Sequence, residues 1–455
     1  MAKNSVAKSV LDVTIFKITL IGSNGRSYNI SDIINNIKIY ENIFYPVITG
    51  TIQLDDGVSM VSKVQAHGNE FLEIIFGKPE ATEEEKYKKI FRVWKITDRG
   101  PGSKGNIQSY ILHFCSEELV LSNQITLSKA LRGGSVTEYV YRILTETLLT
   151  NKKRVNKEQN FEQSLGHNDF VLTKYRPFEA IRYLSENAFN ENGSTFICFE
   201  NKDGYNFLSL LNLFTRPPII KLNYTKATHK DEFDKSPYNI NSMMDFNILQ
   251  NFNVIENTRR SAYNSRLLTL DLITQKFKSY DYSLVDTFNK KMLMDGNFPL
   301  NDALNRKERA IYDARGDRDD VQPDLNYALT DLGLTNNPYF LSKLQRVNST
   351  NIEKTLSRRK VQFNMLKNTE LECKVPGNAL LSVGYMVDVD IPAFTENYNT
   401  ESLKDPYSGK YLITELQHNI VPGSWTTTMK LCKNSVGVDL DPFVLTDAYK
   451  TARSY

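Results

Sequence analysis

At 455 residues the chain has room for two to four domains of roughly 100–200 residues each, and for substantial buried cores. Its 56 Lys plus Arg nearly cancel its 53 Asp plus Glu, which excludes the strong basic excess of a general nucleic-acid binder. No apolar run approaches the ~20 residues of a membrane helix, and Cys115, Cys198, Cys373 and Cys432 lie far apart without a CxxC, so free, mostly buried thiols in a reducing compartment are expected.

The opening MAKNSVAKSV carries lysines but no apolar core, so 1–9 reads as an arm rather than a signal peptide. Residues 10–125 read as an antiparallel barrel or sandwich. Val13, Ile15, Ile18 and Leu20 lead into the turn Gly22-Ser23-Asn24-Gly25, and strand-like runs follow at 37–40, 45–54, 71–76, 91–97 and 110–115. In the last of these Tyr110, Leu112 and Phe114 share a face, the period of two of a half-buried strand. The charged stretch 80–89 reads as a solvated hairpin tip.

A small α/β unit is expected over 126–215. The period changes near Leu127. Ser135-Val136-Thr137-Glu138 is a capping-box pattern, and Val136, Val140, Ile143, Leu144 and Leu148 follow at helical spacing, which predicts a helix over 135–149. Pro177 suits the first position of a second helix, with Phe178, Ile181, Leu184 and Ala188 as its stripe and Gly193 placed to end it. Apolar runs at 194–200 and 205–211 flank Asn201-Lys202-Asp203-Gly204, and Asp-Gly in that setting signals a hairpin.

Arg216-Pro217-Pro218 opens a connector over 216–245, with a polar loop at 229–237. A β pattern returns at 253–256 and 266–273. Residues 282–366 read as an extended polar insertion centred on the charge run 313–320, with a short strand at 339–344. It closes on a helix over 351–366 whose Ile352, Leu356, Phe363 and Leu366 face inward. Next, Val383, Tyr385, Val387, Val389 and Ile391 alternate with Gly384, Met386, Asp388 and Asp390, and Pro392 ends the run. Strand-like runs at 410–417 and 425–431 flank the turn Val421-Pro422-Gly423-Ser424. Residues 246–281 and 367–435 are therefore read as a second antiparallel β domain, followed by a tail over 436–455. Glu41-Asn42 before Leu54-Asp55 is echoed by Glu256-Asn257 before Leu270-Asp271 at nearly the same spacing, as two copies of one module would give.

The chain offers little chemistry. His67, His113, His167, His229 and His418 form no metal motif, and no GxSxG, P-loop or GxGxxG occurs. Arg132-Gly133-Gly134-Ser135 places glycines at a helix start, where a phosphate could bind, but a turn and an N-cap explain it better. Residues 313–320 lack the ligand spacing of a calcium loop. Asp388 and Asp390 come nearest to a catalytic pair: at i and i+2 on a strand both point to one face, about 7 Å apart. Paired carboxylates can hydrolyse glycosides. No sugar-binding aromatic adjoins them on that face, so they are read as candidate lumen or interface lining, with no catalytic, cofactor or metal residues expected.

Three groups of motifs carry a family resemblance. They are 36–44 leading to Gly50-Thr51-Ile52-Gln53-Leu54; Pro177-Phe178-Glu179-Ala180-Ile181 with the hairpin 199–207; and Pro376-Gly377-Asn378 with Leu381-Ser382-Val383-Gly384, 387–392 and Gly409-Lys410-Tyr411-Leu412-Ile413. Each is modestly specific, but their order along most of the chain resembles the baseplate hub proteins of T4-like contractile-tailed phages. That fold family includes late-control tail proteins and the N-terminal half of type VI secretion spikes. The resemblance implies a mostly β fold with an α+β insert: two tube-type antiparallel β-barrel domains, a small α/β domain and a polar insertion. It implies a homotrimer in the virion tail baseplate, assembled in the host cytoplasm, whose pseudo-six-fold ring joins the central spike protein to the tail tube or tube-initiator protein. Baseplate wedge proteins, and also a tape measure protein, would be neighbours, and genomic DNA would pass the lumen without sequence readout. No cofactor is expected. The chain lacks the repetitive needle of secretion spikes, so the spike is expected to be another polypeptide. Two rival readings are a tail-associated cell-wall hydrolase using Asp388 and a glycan-binding tail-tip protein.

Overall fold

The computed structural model describes residues 11–64, 66–83, 85–102, 107–166, 168–224, 241–251, 264–271, 276–283, 294, 324–330, 352–391, 405 and 407–435. The expected arm at 1–9, the loops at 229–237 and 313–320, the runs at 253–256 and 339–344, and the tail at 436–455 lie outside these residues.

Seven antiparallel strands form the first β region: β1 (Thr14–Ile21), β2 (Ser27–Asn29), β3 (Ile34–Asn42), β4 (Thr49–Asp56), β5 (Phe71–Gly77), β6 (Tyr87–Pro101) and β7 (Gln108–Cys115). They run in the order β3-β4-β7-β6-β5-β1-β2. β3, β4, β5 and β7 bury one face because their apolar residues alternate: Ile37 and Ile39, Ile52 and Leu54, Leu72, Ile74 and Phe76, and Tyr110, Leu112 and Phe114 meet in one core. The charged stretch 80–89 spans the β5–β6 turn but also enters β6, where Lys89 is buried.

The α/β unit contains the helix Glu117–Gln124, β8 (Leu127–Gly134), the helix Val136–Arg142, β9 (Asn168–Tyr175), the helix Pro177–Asn187, β10 (Phe196–Asn201), β11 (Gly204–Ser209) and the helix Leu210–Thr215. The capping box forms as read, Ser135 accepting from Glu138 N–H. The helix then widens into a π turn, Ile143–Thr147, with Leu148 N–H donating to the Ile143 carbonyl. The hairpin also forms, with Asn201 opposite Gly204. Two features differ from the sequence reading. Residues 127–134, to which the sequence assigned no element, form a strand; β-bulges between Leu127 and Lys129 and between Leu131 and Gly134 break its period of two. The helix from Pro177 stops at Asn187, well before Gly193, because the Arg359 guanidinium caps the carbonyls of Ser185 and Ala188 at 3.1 and 2.8 Å.

The remaining strands are β12 (Pro218–Tyr224), β13 (Ser242–Met243), β14 (Asp245–Asn251), β15 (Asn264–Asp271), β16 (Lys276–Ser283), β17 (Asp324–Thr330), β18 (Thr369–Pro376), β19 (Met386–Asp390), β20 (Gly409–Val421) and β21 (Ser424–Lys433). The helix Ile352–Leu366 forms; among its described side chains Val361, Met365 and Leu366 are buried while Leu356 and Phe363 are only partly covered, and the side chain of Ile352 lies outside those described. β15, β16 and β17 make a separate three-stranded sheet. Leu270-Asp271, half of the sequence echo, therefore ends a strand outside the main sheet, and its partner Glu256-Asn257 lies outside the described residues. β12, read as connector, pairs in parallel with β19, so the second β region is not wholly antiparallel.

β20 fuses the two β regions. One of its edges carries β21 over almost its full length. On its other pairings, residues 409–412 meet β19 and residues 415–420 meet β3. The product is one 14-stranded sheet, open rather than closed among the described residues. The fold is thus mostly β, as read, with no closed barrel in the described strands.

Candidate functional site: the three-way junction and the acidic strand

Asp388 and Asp390 sit partly exposed on the face of β19 opposite Val387, Val389 and Ile391, which are buried. Asp388 lies between Lys221 of β12 and Lys410 of β20 in the pairing register. Lys221 Nζ is 2.8 Å from Asp390 Oδ2. This is a cross-strand ladder of opposite charges, which favours the pairing of three strands. The other sequence suspects are similarly occupied. His113 shares a 2.9 Å hydrogen bond with the Thr97 hydroxyl. The N–H groups of Gly133 and Gly134 donate to the Asp169 carboxylate and the Tyr139 hydroxyl, so they do not form an open phosphate cradle. The four cysteines are free, and burial pushes each thiol up to about 12, which leaves them unreactive. No cluster of His, Cys, Asp or Glu suited to a metal occurs among the described residues.

The densest polar constellation lies where the α/β unit meets both β regions. Glu200, at the end of β10, is 1% exposed. Its Oε1 is 2.7 Å from Lys89 Nζ of β6 and 2.6 Å from Arg154 Nη2. Its Oε2 accepts from the Ile48 N–H at 2.9 Å and from the Ser116 hydroxyl. Arg154 also pairs with Glu118 at 2.7 Å, and Lys89 donates to the Asn201 carbonyl at 2.9 Å. Burial would raise the Glu200 carboxyl, but Lys89 and Arg154 outweigh burial and hold it below the usual range. Five separated segments are tied through this one carboxylate and its partners.

The hairpin tip 201–204 continues the junction into the second β region. Asn201 Oδ1 accepts from the N–H groups of Asp203 and Gly204, which sets the turn. Lys202 N–H donates to Ser382 Oγ at 3.0 Å, and the Tyr385 hydroxyl donates to Asp203. Gly204 has φ +134°, and a Cβ there would lie 2.2 Å from the Arg154 carbonyl oxygen. Gly384, at φ +81°, lets the chain turn across the Phe199 ring, where a Cβ would come within 2.5 Å. This turn delays β19 to Met386, so the strand expected from Val383 begins later.

Glu41 of β3 completes the set. Its Oε2 accepts from the Ser382 hydroxyl and from Val383 N–H at 3.1 Å. Burial raises its carboxyl to about 7, against the lowering effect of the Ser382 hydrogen bond and of Lys89. Between the ordinary carboxylate pH and about 7 the folded chain therefore holds a proton that the unfolded chain has lost. Stability should fall as pH rises through that window, by on the order of 3 kcal/mol, and level off above it. Glu41→Gln is expected to remove this decline and to melt higher than the parent at pH 8. Melting curves from pH 4 to 8 with the same slope in both proteins would contradict it.

The sequence reading missed this junction, although a signal was present. Glu41 is in phase with the buried Ile37 and Ile39, and Lys89 with the buried Tyr87, Phe91 and Val93. A charge in a buried phase implies a buried partner. The segments that meet here, Glu41-Asn42, the hairpin 199–207 and Leu381-Ser382-Val383-Gly384, are also pieces of all three resemblance groups.

The fold resembles that of solved phage-type tail proteins. Its structure is similar to that of the tail protein from Neisseria meningitidis MC58, with a TM-score of 0.52 at 8% identity, covering 92% of this chain and 96% of that one. The 43 kDa tail protein of prophage MuSo2 from Shewanella oneidensis aligns at TM-score 0.48 and 7% identity over 92% and 98% of the two chains. In sequence the chain is 21% identical over 434 residues to the "Probable baseplate hub protein gp334" of Vibrio phage KVP40, spanning 94% of this chain and 96% of that protein. The hub resemblance read from the motifs is thereby borne out from end to end. No family model matches the chain.

Proposed function

We propose that the chain is the structural hub of a contractile-tail baseplate in the phage virion. In this reading three copies close a pseudo-six-fold ring that joins the central spike to the tail tube and leaves a lumen for DNA. The carrying observation is the end-to-end similarity to a baseplate hub protein, over 94% of this chain. The architecture supports it. A ring subunit has to hold two β regions at a fixed angle, and here β20 shares its edge between them while the buried junction clamps the α/β unit against both. Ring closure would also cover the sheet edges left without a strand partner among the described residues.

The role is non-enzymatic: the relatives are named for baseplate and tail, and the only carboxylate pair read from the sequence is laddered with lysines. Asp388 and Asp390 become lining of the lumen or of a subunit interface. Wedge proteins, a tube initiator and a tape measure protein are the expected neighbours, and the near balance of 56 cations and 53 anions suits passage of DNA without capture. Electron microscopy of the protein mixed with its spike should show a ring with an open lumen and a pseudo-six-fold outline. Compact particles without a lumen under every condition would contradict the proposal.

A further inference from the structure

β8 and the helix Val136–Arg142, with its π turn, enclose a groove of about 250 Å³ on the α/β unit. Its floor is apolar, built from Leu131, Ile143 and Leu172, all buried. Its rim carries three exposed cations, Lys129, Arg132 and Arg142, against one carboxylate, Glu146. None of the three cations makes an ion pair with another described residue. The chain as a whole is almost charge-balanced, so a rim of net +2 is a local departure (three cations less one carboxylate). The widened π turn forms one wall, a distortion that costs regular hydrogen bonding and is frequent at functional sites. β8 pairs only with β9 among the described strands, so one of its edges can accept a further extended segment.

We propose that this groove docks an extended acidic segment of a partner protein, aliphatic side chains on the floor and carboxylates at the cationic rim. A protein segment fits better than a nucleic acid. The one aromatic lining residue, Tyr139, is buried with its hydroxyl engaged by Gly134 N–H, so no exposed ring is offered for base stacking. The adjacent glycine N–H groups, which could have held phosphate, are occupied as well. The proposal stands independently of the hub reading.

Fluorescence anisotropy with labelled peptides tests it on the full chain. The probes are an alternating Glu-Leu peptide, Glu-Ser and Lys-Leu peptides of equal length, and a single-stranded oligonucleotide. The Glu-Leu peptide should bind best, and the Arg132→Glu/Arg142→Glu variant should weaken it at least about tenfold while gaining affinity for Lys-Leu. Both arginines are exposed, so the variant should melt like the parent; if it does not, Lys129→Glu serves with the same expectation at about threefold. The proposal is overturned if no peptide binds, if Glu-Ser binds as well as Glu-Leu, if the variants bind unchanged, or if the oligonucleotide binds more tightly than every peptide.

Discussion

Glu200→Ala should destabilise the protein by about 3–5 kcal/mol, because it strands the buried Lys89 ammonium and removes half of the Arg154 pairing. It also leaves the Ile48 N–H and the Ser116 hydroxyl without their acceptor. Denaturant titration followed by tryptophan fluorescence would read the loss. Removing Lys89 together with Glu200, as Lys89→Met/Glu200→Gln, should cost less than the single change, since the lysine charge is no longer stranded and Arg154 keeps Glu118. A single variant as stable as the parent would contradict the assignment of the junction as a clamp. The pH behaviour separates the two buried carboxylates. The pairing at Glu200, held below the usual range, stabilises above the ordinary carboxylate pH and is lost on acidification, whereas Glu41, raised to about 7, weighs against the fold as pH rises.

Gly204→Ala should be comparably damaging, by roughly 2–6 kcal/mol. The φ of +134° is nearly restricted to glycine, at a cost of about 1–3 kcal/mol for another residue. The added methyl would also drive into the Arg154 carbonyl, and overpacking of that kind costs about 1–3 kcal/mol more. Because Arg154 holds both Glu118 and Glu200, the strain should spread into the ionic cluster. Proteolysis of the folded variant should therefore open the α/β unit before the first β region. Wild-type resistance and melting would show that the hairpin tip is not wedged as described.

Much of the first β region was legible because most of its strands bury one face and write a period of two, as Tyr110, Leu112 and Phe114 do. The capped helix at Ser135 and the Asp-Gly hairpin were legible for local reasons, a side-chain cap and a two-residue turn. β8 was hidden by its bulges. β12 was hidden because a parallel partner more than 160 residues away leaves no mark in the local pattern. The junction was hidden for the same reason: Glu41, Lys89, Glu118, Arg154, Glu200 and Ser382 are adjacent only after folding, and only the phase of Glu41 and Lys89 within their strands pointed inward. Asp388 and Asp390 share a face as their spacing required, but the lysines beside them come from other strands, and with those in place the pair reads as a charge ladder.

The central claim is that this chain is a ring-forming hub, and its mass in solution tests that most directly. Light scattering should give three times the 52.2 kDa chain mass for the purified protein alone, or three chain masses plus the spike's own mass when the two are mixed. A stable monomer in both would contradict the hub.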